Sequence, residues 1–116
     1  MLVAFSVAPS GRPSRVDATT AGEARPGTDD ASVHDAVAAA VAVVRASGLP
    51  HRTDAMFTTI EGEWDECMAV VKDCVDAVQA FGSRVSLVLK ADIRPGFTGE
   101  LTGKLERLEQ AIAERS

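Results

Sequence analysis

Eleven residues, Met56-Phe-Thr-Thr-Ile-Glu-Gly-Glu-Trp-Asp-Glu66, constrain this chain more than any others. Phe57 to Ile60 is a short β-run, Gly62 a break, and Glu63 to Glu66 an acidic helix start. A strand that ends in a carboxylate and turns through glycine into a helix brings backbone donors, a charge and an aromatic face together. That is a common place to hold a small ligand. Trp64, the single tryptophan, lies in it. It reads equally well as a large packing residue between helix and sheet, because Trp buries much area wherever it lands.

The flanking sequence extends this strand-to-helix step into an order of elements. Val3, Phe5 and Val7 alternate with Ala4, Ser6 and Ala8, the period of a strand. Residues 9–32 then lose all apolar period and carry Pro, Gly, Ser and Asp, which reads as a long mobile loop. Ser32 and Asp35 have the spacing of a helix-capping box. Val33, Val37, Val41 and Val44 follow at helical spacing, until Gly48 and Pro50 end the run. His51 to Glu61 is long enough for two short strands with a bend near residues 54–56. The next helix is expected to bury Trp64, Cys67, Met68, Val71, Cys74, Val75 and Val78. Its early carboxylates suit the helix dipole better than they suit a metal site. Val85, Leu87, Leu89 and Ala91 alternate with Ser86, Val88, Lys90 and Asp92 as a last strand. From about Gly99 to Glu114, Leu101, Leu105, Leu108 and Ile112 form a narrow helical seam.

The order β-α-β-β-α-β-α is that of an α+β, ferredoxin-like βαββαβ sandwich with an additional C-terminal helix. Two helices cover one face of a four-stranded antiparallel sheet. The other face shows Ala4, Ser6, Ala8, Ser86, Val88, Lys90 and Asp92. It is too mixed for a second core and too apolar to stay bare, so it reads as a subunit interface, a ligand platform, or both. At 116 residues the chain is expected to be one domain, 1–116, with a flexible insertion at about 12–30. The 46% apolar content suffices for a core, but few of those residues are aromatic, so Val, Ala and Leu must build it. A net charge of −5 argues against nucleic acid or an anionic membrane as partner. With no basic leader and no long apolar span, a cytoplasmic location is expected. Cys67 and Cys74 fall two turns apart on one helix, about 10 Å, too far for a disulfide between them.

With these elements in place, the chain resembles the thiamine-binding protein family of small ferredoxin-like proteins. Met56, Thr58, the run Ile60-Glu-Gly-Glu-Trp-Asp-Glu66 and Met68 carry the resemblance. Val7-Ala-Pro-Ser-Gly11, Ser32-Val33, Ser47-Gly-Leu49 and the strand Leu87 to Arg94 support it. It spans nearly the whole chain outside 12–30, where the family's loop is usually much shorter. The resemblance implies non-catalytic binding of thiamine or its hydroxymethylpyrimidine moiety, at an interface between the sheets of associated subunits. It implies a homodimer or homotetramer. No cofactor is expected to be required.

For such a ligand, Glu61 and Asp92 are the candidate anions, expected near the open sheet face. Ser6, Thr58 and Thr59 are the candidate hydroxyls, and Trp64 or Met56 the candidate apolar wall. Two other classes stay open. One is a ligand-free oligomeric regulatory or scaffold protein. The other is an acid/base enzyme using Glu61 and Asp92, although no nucleophile–base pair, phosphate loop or metal cluster stands out, and neither His34 nor His51 has an evident partner.

Overall fold

A computed structural model describes residues 1–12 and 29–115, with the backbone alone for 29–33. The elements are β1 (Leu2–Ser10), α1 (Asp29–Ala46), β2 (His51–Thr53), β3 (Thr58–Glu61), α2 (Trp64–Gln79), β4 (Arg84–Asp92) and α3 (Glu100–Arg115). The four strands form one antiparallel sheet in the order β2-β3-β1-β4. The architecture is the expected α+β, ferredoxin-like one with a helix added at the end. The loop expected at 12–30 lies mostly outside the described residues. Helix α1 already begins at Asp29, so Ser32 sits within it and is not its cap.

Strand β1 is central, and its pairings sort the sheet into two faces. Val3 sits between Ile60 and Ala91, and Phe5 between Thr58 and Leu89, all on the face that α1 and α2 cover. Leu2 sits between Glu61 and Asp92, and Ala4 between Thr59 and Lys90, on the opposite face. Directly opposed residues share a face, so this register is a consequence of the period-two alternation in β1.

The core lies between the covered face and the two helices. Val3, Phe5 and Ile60 meet Ala36, Ala40 and Val44 of α1, and Cys67, Val70, Val71, Cys74 and Val78 of α2. Two expected stripes are corrected here. In α1 the buried line is Ala36, Ala40, Val44, while Val37 is largely exposed. The small alanines let α1 approach α2 closely, and that rotation turns Val37 and Val41 aside. In α2, Trp64 is 53% exposed, and Val70 takes a place in the core. Trp64 is the first residue of its helix, before the helix has come fully over the sheet. Its neighbour Glu66 does local work instead, accepting the Glu63 N–H at 2.9 Å.

Both cysteines are free and buried, as expected of small hydrophobes. The Cys74 thiol donates to the Ala40 carbonyl at 3.4 Å, and burial pushes its pKa up to about 11. Among the described residues no helix is long and apolar enough to cross a membrane.

The turn after α2 depends on a glycine. A Cβ at Gly82 would lie 2.6 Å from the Ser10 carbonyl oxygen and 2.8 Å from the Ser10 nitrogen. Both are backbone atoms of a paired strand and cannot swing away. Gly82→Ala is therefore expected to lower stability by about 1–3 kcal/mol, the usual cost of overpacking. Thermal denaturation measures it, and an unchanged melting temperature contradicts the close approach of this turn to β1.

Candidate functional site

The alternation that builds the core also separates the expected ligand residues. Thr58 and Thr59 are adjacent, so they face opposite ways. Thr59, Glu61 and Asp92 stand on the open face, and Thr58 on the helix-covered one. Trp64, on the exposed first turn of α2, borders neither group closely enough to line the cavity described below.

On the open face, both carboxylates hold α3. Glu61 is only 8% exposed. Its Oε2 accepts the Glu100 N–H at 3.0 Å and its Oε1 the Leu101 N–H at 3.1 Å. These amides are among those left without partners at a helix N-terminus, where a carboxylate is also favoured by the dipole. Burial pushes the Glu61 carboxyl pKa up. The amides of Leu101, Glu100 and Gly99, with the chain's terminal ammonium, outweigh that, so it lies below its ordinary value. Asp92 pairs with Lys104 one turn further along α3, which holds its pKa down. Glu100, itself buried, pairs with Arg107 at 2.8 Å. Helix α3 is thus tied to the sheet between Glu100 and Lys104, while Leu105, Leu108 and Ile112 stay about half exposed.

On the covered face a cleft of about 100 Å³ opens between α1 and the β1–β3 side of the sheet. Its floor is Phe5 and Val7, and Val37, Val41 and Val44 form the α1 wall. Ser6, Met56 and Thr58 all border it, together with Thr53 and Asp54. The cleft has a simple origin. Strand β3 pairs with β1 only from Leu2 to Phe5, whereas β4 pairs with it through Ser10. Past Phe5 the β3 side of β1 is uncovered, so Ser6 borders the cleft along that strand edge, while the alternation of β1 gives its side chain to the open face. The bend at residues 54–57 overhangs the gap, closed by the Asp54 N–H donating to the Phe57 carbonyl at 2.9 Å. Met56, on this overhang, is 78% exposed. The hydroxyls of Thr53 and Thr58 lie 3.3 Å apart on neighbouring strands.

The structure therefore brings Ser6, Met56 and Thr58 together and sets Thr59, Glu61 and Asp92 apart from them. The residues not foreseen are Val37, Val41, Thr53 and Asp54. The polar pair Thr53-Asp54 between two strand runs was the available signal. Among the described residues no group of three or more His, Cys, Asp or Glu side chains is placed to hold a metal ion.

The Glu61 contacts make a pH-dependent prediction. A carboxyl whose folded pKa is depressed adds stability above its unfolded value, near 4.5, and loses it as pH falls through the folded value. Glu61→Gln is expected to cost about 1.5–3 kcal/mol at pH 7, the range for hydrogen bonds to a charged group. The difference between wild type and variant should shrink below pH 4.5. Denaturant melts across pH 3–7 check this, and amide exchange should show α3 loosening first. A difference that does not change with pH removes the charged latch from the account.

Known proteins give the chain a family. A model described as thiamine-binding protein matches residues 24–109. The UPF0045 protein Mb1933 of Mycobacterium bovis is 47% identical over 113 residues, covering 97% of this chain and 94% of that protein. Among solved structures, a domain of unknown function, DUF77, from Bacillus cereus superposes with a TM-score of 0.64 at 29% identity, over 86% of this chain and 83% of that one. A Thermotoga maritima protein, provisionally assigned to thiamine biosynthesis or salvage, superposes with a TM-score of 0.65 at 23% identity, over 90% of this chain and 96% of that one. The match over most of the chain, together with the curated relative's identity, places this chain in the thiamine-binding protein family.

Proposed function

We propose that this chain binds thiamine or its hydroxymethylpyrimidine moiety without turning it over, and that the cleft beneath the 54–57 bend receives one edge of the pyrimidine ring. The observation that carries this reading is the meeting of Thr53 and Thr58 with Asp54 in an otherwise apolar cleft. An aminopyrimidine has apolar faces and a rim of donors and acceptors. Hydroxyls suit that rim because each both donates and accepts. The thiazolium is a permanent cation, and a carboxylate at the mouth favours it. Since the Glu61 oxygens are occupied by α3 and Asp92 is paired, Asp54 takes the anionic role in this proposal. The family membership supports the ligand class, and the Thermotoga neighbour points the same way.

In this reading one domain spans 1–116, no cofactor is required, and the protein works in the cytoplasm as a homodimer or homotetramer. Exposed Val37, Met56 and Phe57 around the mouth, and Leu87 and Val88 on β4, favour a second subunit close to the site. Light scattering at micromolar concentration is expected to return a dimer or tetramer, and a monomer removes the interface part of the proposal.

Calorimetric titration with thiamine tests the site. Thr58→Val and Asp54→Asn should each weaken binding roughly three- to tenfold, as expected for a bond worth about 0.5–1.5 kcal/mol. Asp92→Asn should leave affinity unchanged. The reverse pattern moves the site to the open sheet face. Mass spectrometry of the recovered ligand should find it intact, and a converted product makes the protein an enzyme.

A further inference from the structure

The cleft does not end at its mouth. A broad groove of about 990 Å³ continues over the outer side of α1, sharing Val37, Val41, Thr53 and Ala55 with the cleft. Its far wall carries Arg45, with His34 toward the other end of the helix. Arg45 is one turn beyond Val41, about 6 Å along the axis, and on the same face. Among the described residues none forms an ion pair with it.

Size decides how a ligand must lie. The inner cleft, about 100 Å³, is smaller than the roughly 150 Å³ cavity known to admit benzene. A two-ring ligand that puts one ring edge there must run out past Thr53 and Ala55 into the groove. Thr53, Asp54 and Thr58 border the cleft, and Arg45 borders the groove. A matching ligand carries hydrogen-bonding groups and a cation at the cleft end and an anion at the groove end.

We infer that the preferred ligand is a phosphate monoester of the thiamine type, its phosphate held by Arg45 in the outer groove. This rests on the binding reading above and adds the ligand's charge pattern. A guanidinium presents paired N–H donors that match a phosphate, and the charge assists both bonds. The chain's overall negative charge opposes anions only weakly at the range of such a contact, because salt screens distant charges within about 10 Å.

The test is calorimetry at low salt with thiamine and thiamine monophosphate, on wild type, Arg45→Gln and Arg45→Lys. The monophosphate is expected to bind wild type about tenfold more tightly than thiamine, as one charge-assisted contact provides. Arg45→Gln should bring the two ligands within about twofold of each other and leave thiamine affinity as it was. Arg45→Lys should keep part of the preference. Thermal melts of each variant confirm that the fold is intact. If thiamine binds but the monophosphate binds no better, or if Arg45→Gln keeps the preference, the phosphate assignment is overturned and the binding reading stands. If neither compound binds, both fall.

Discussion

The alternation of side chains along β1 is the constraint on which the rest depends. This strand pairs on both edges, so its parity is imposed on β3 and β4 at once. Val3 and Phe5 face the helices, and Ile60, Leu89 and Ala91 must then do so too. A slip of one residue would carry Glu61 and Asp92 into the core and Ile60 out to solvent. Burying a carboxylate among aliphatic side chains without partners costs far more than a few contacts return. The register is therefore held by what the wrong alternative would bury as much as by what the right one packs.

On the open face the same carboxylate has a different use. Glu61 is at the end of its strand, where the sheet no longer shields it, and α3 brings two bare amides to it. A buried charge is tolerable when bonded in this way, and here it fixes where the last helix begins. The Lys104–Asp92 pair follows on the next turn, and the Glu100–Arg107 pair braces the helix within itself. Past them α3 has little to rest on, and its leucine seam stays open. A short, polar attachment followed by an apolar stripe lets the helix hold to its own sheet while most of its leucine seam stays uncovered.

Much of the fold could be read in the sequence because period two and period 3.6 are strong signals, and glycine and proline punctuate them. The two strands of 51–61, the parity of β4 and the seam of α3 all followed from spacing alone. What escaped was rotation. Valine spacing in α1 suggested a valine stripe, but close packing against α2 favoured Ala36 and Ala40, a choice that only the partner helix makes. Trp64 looked like core by its type, and its position at the very start of α2 left it exposed. The candidate site divided for a similar reason. Thr58, Thr59 and Glu61 are near in sequence, yet a strand sends neighbours to opposite sides. Glu61 read as a ligand anion because the residue that claims it lies some forty positions later, at the start of α3. The part of the cleft made by α1 was invisible for the same reason as the rotation, since Val37 and Val41 matter only because Ala36 and Ala40 turned inward.

The shortness of β3 has a further effect. By stopping level with Phe5 it makes room for the cleft, but the floor of that room is Phe5 itself, one of the most buried residues of the core. Val44 is likewise shared between core and cleft wall. The inner surface is thus inherited from the requirements of folding and has little freedom to change shape. The overhang at 54–57 and the outward residues of α1 carry no such burden. Substitutions at the rim can therefore change what the cleft admits, while the shape of its interior stays fixed by the core.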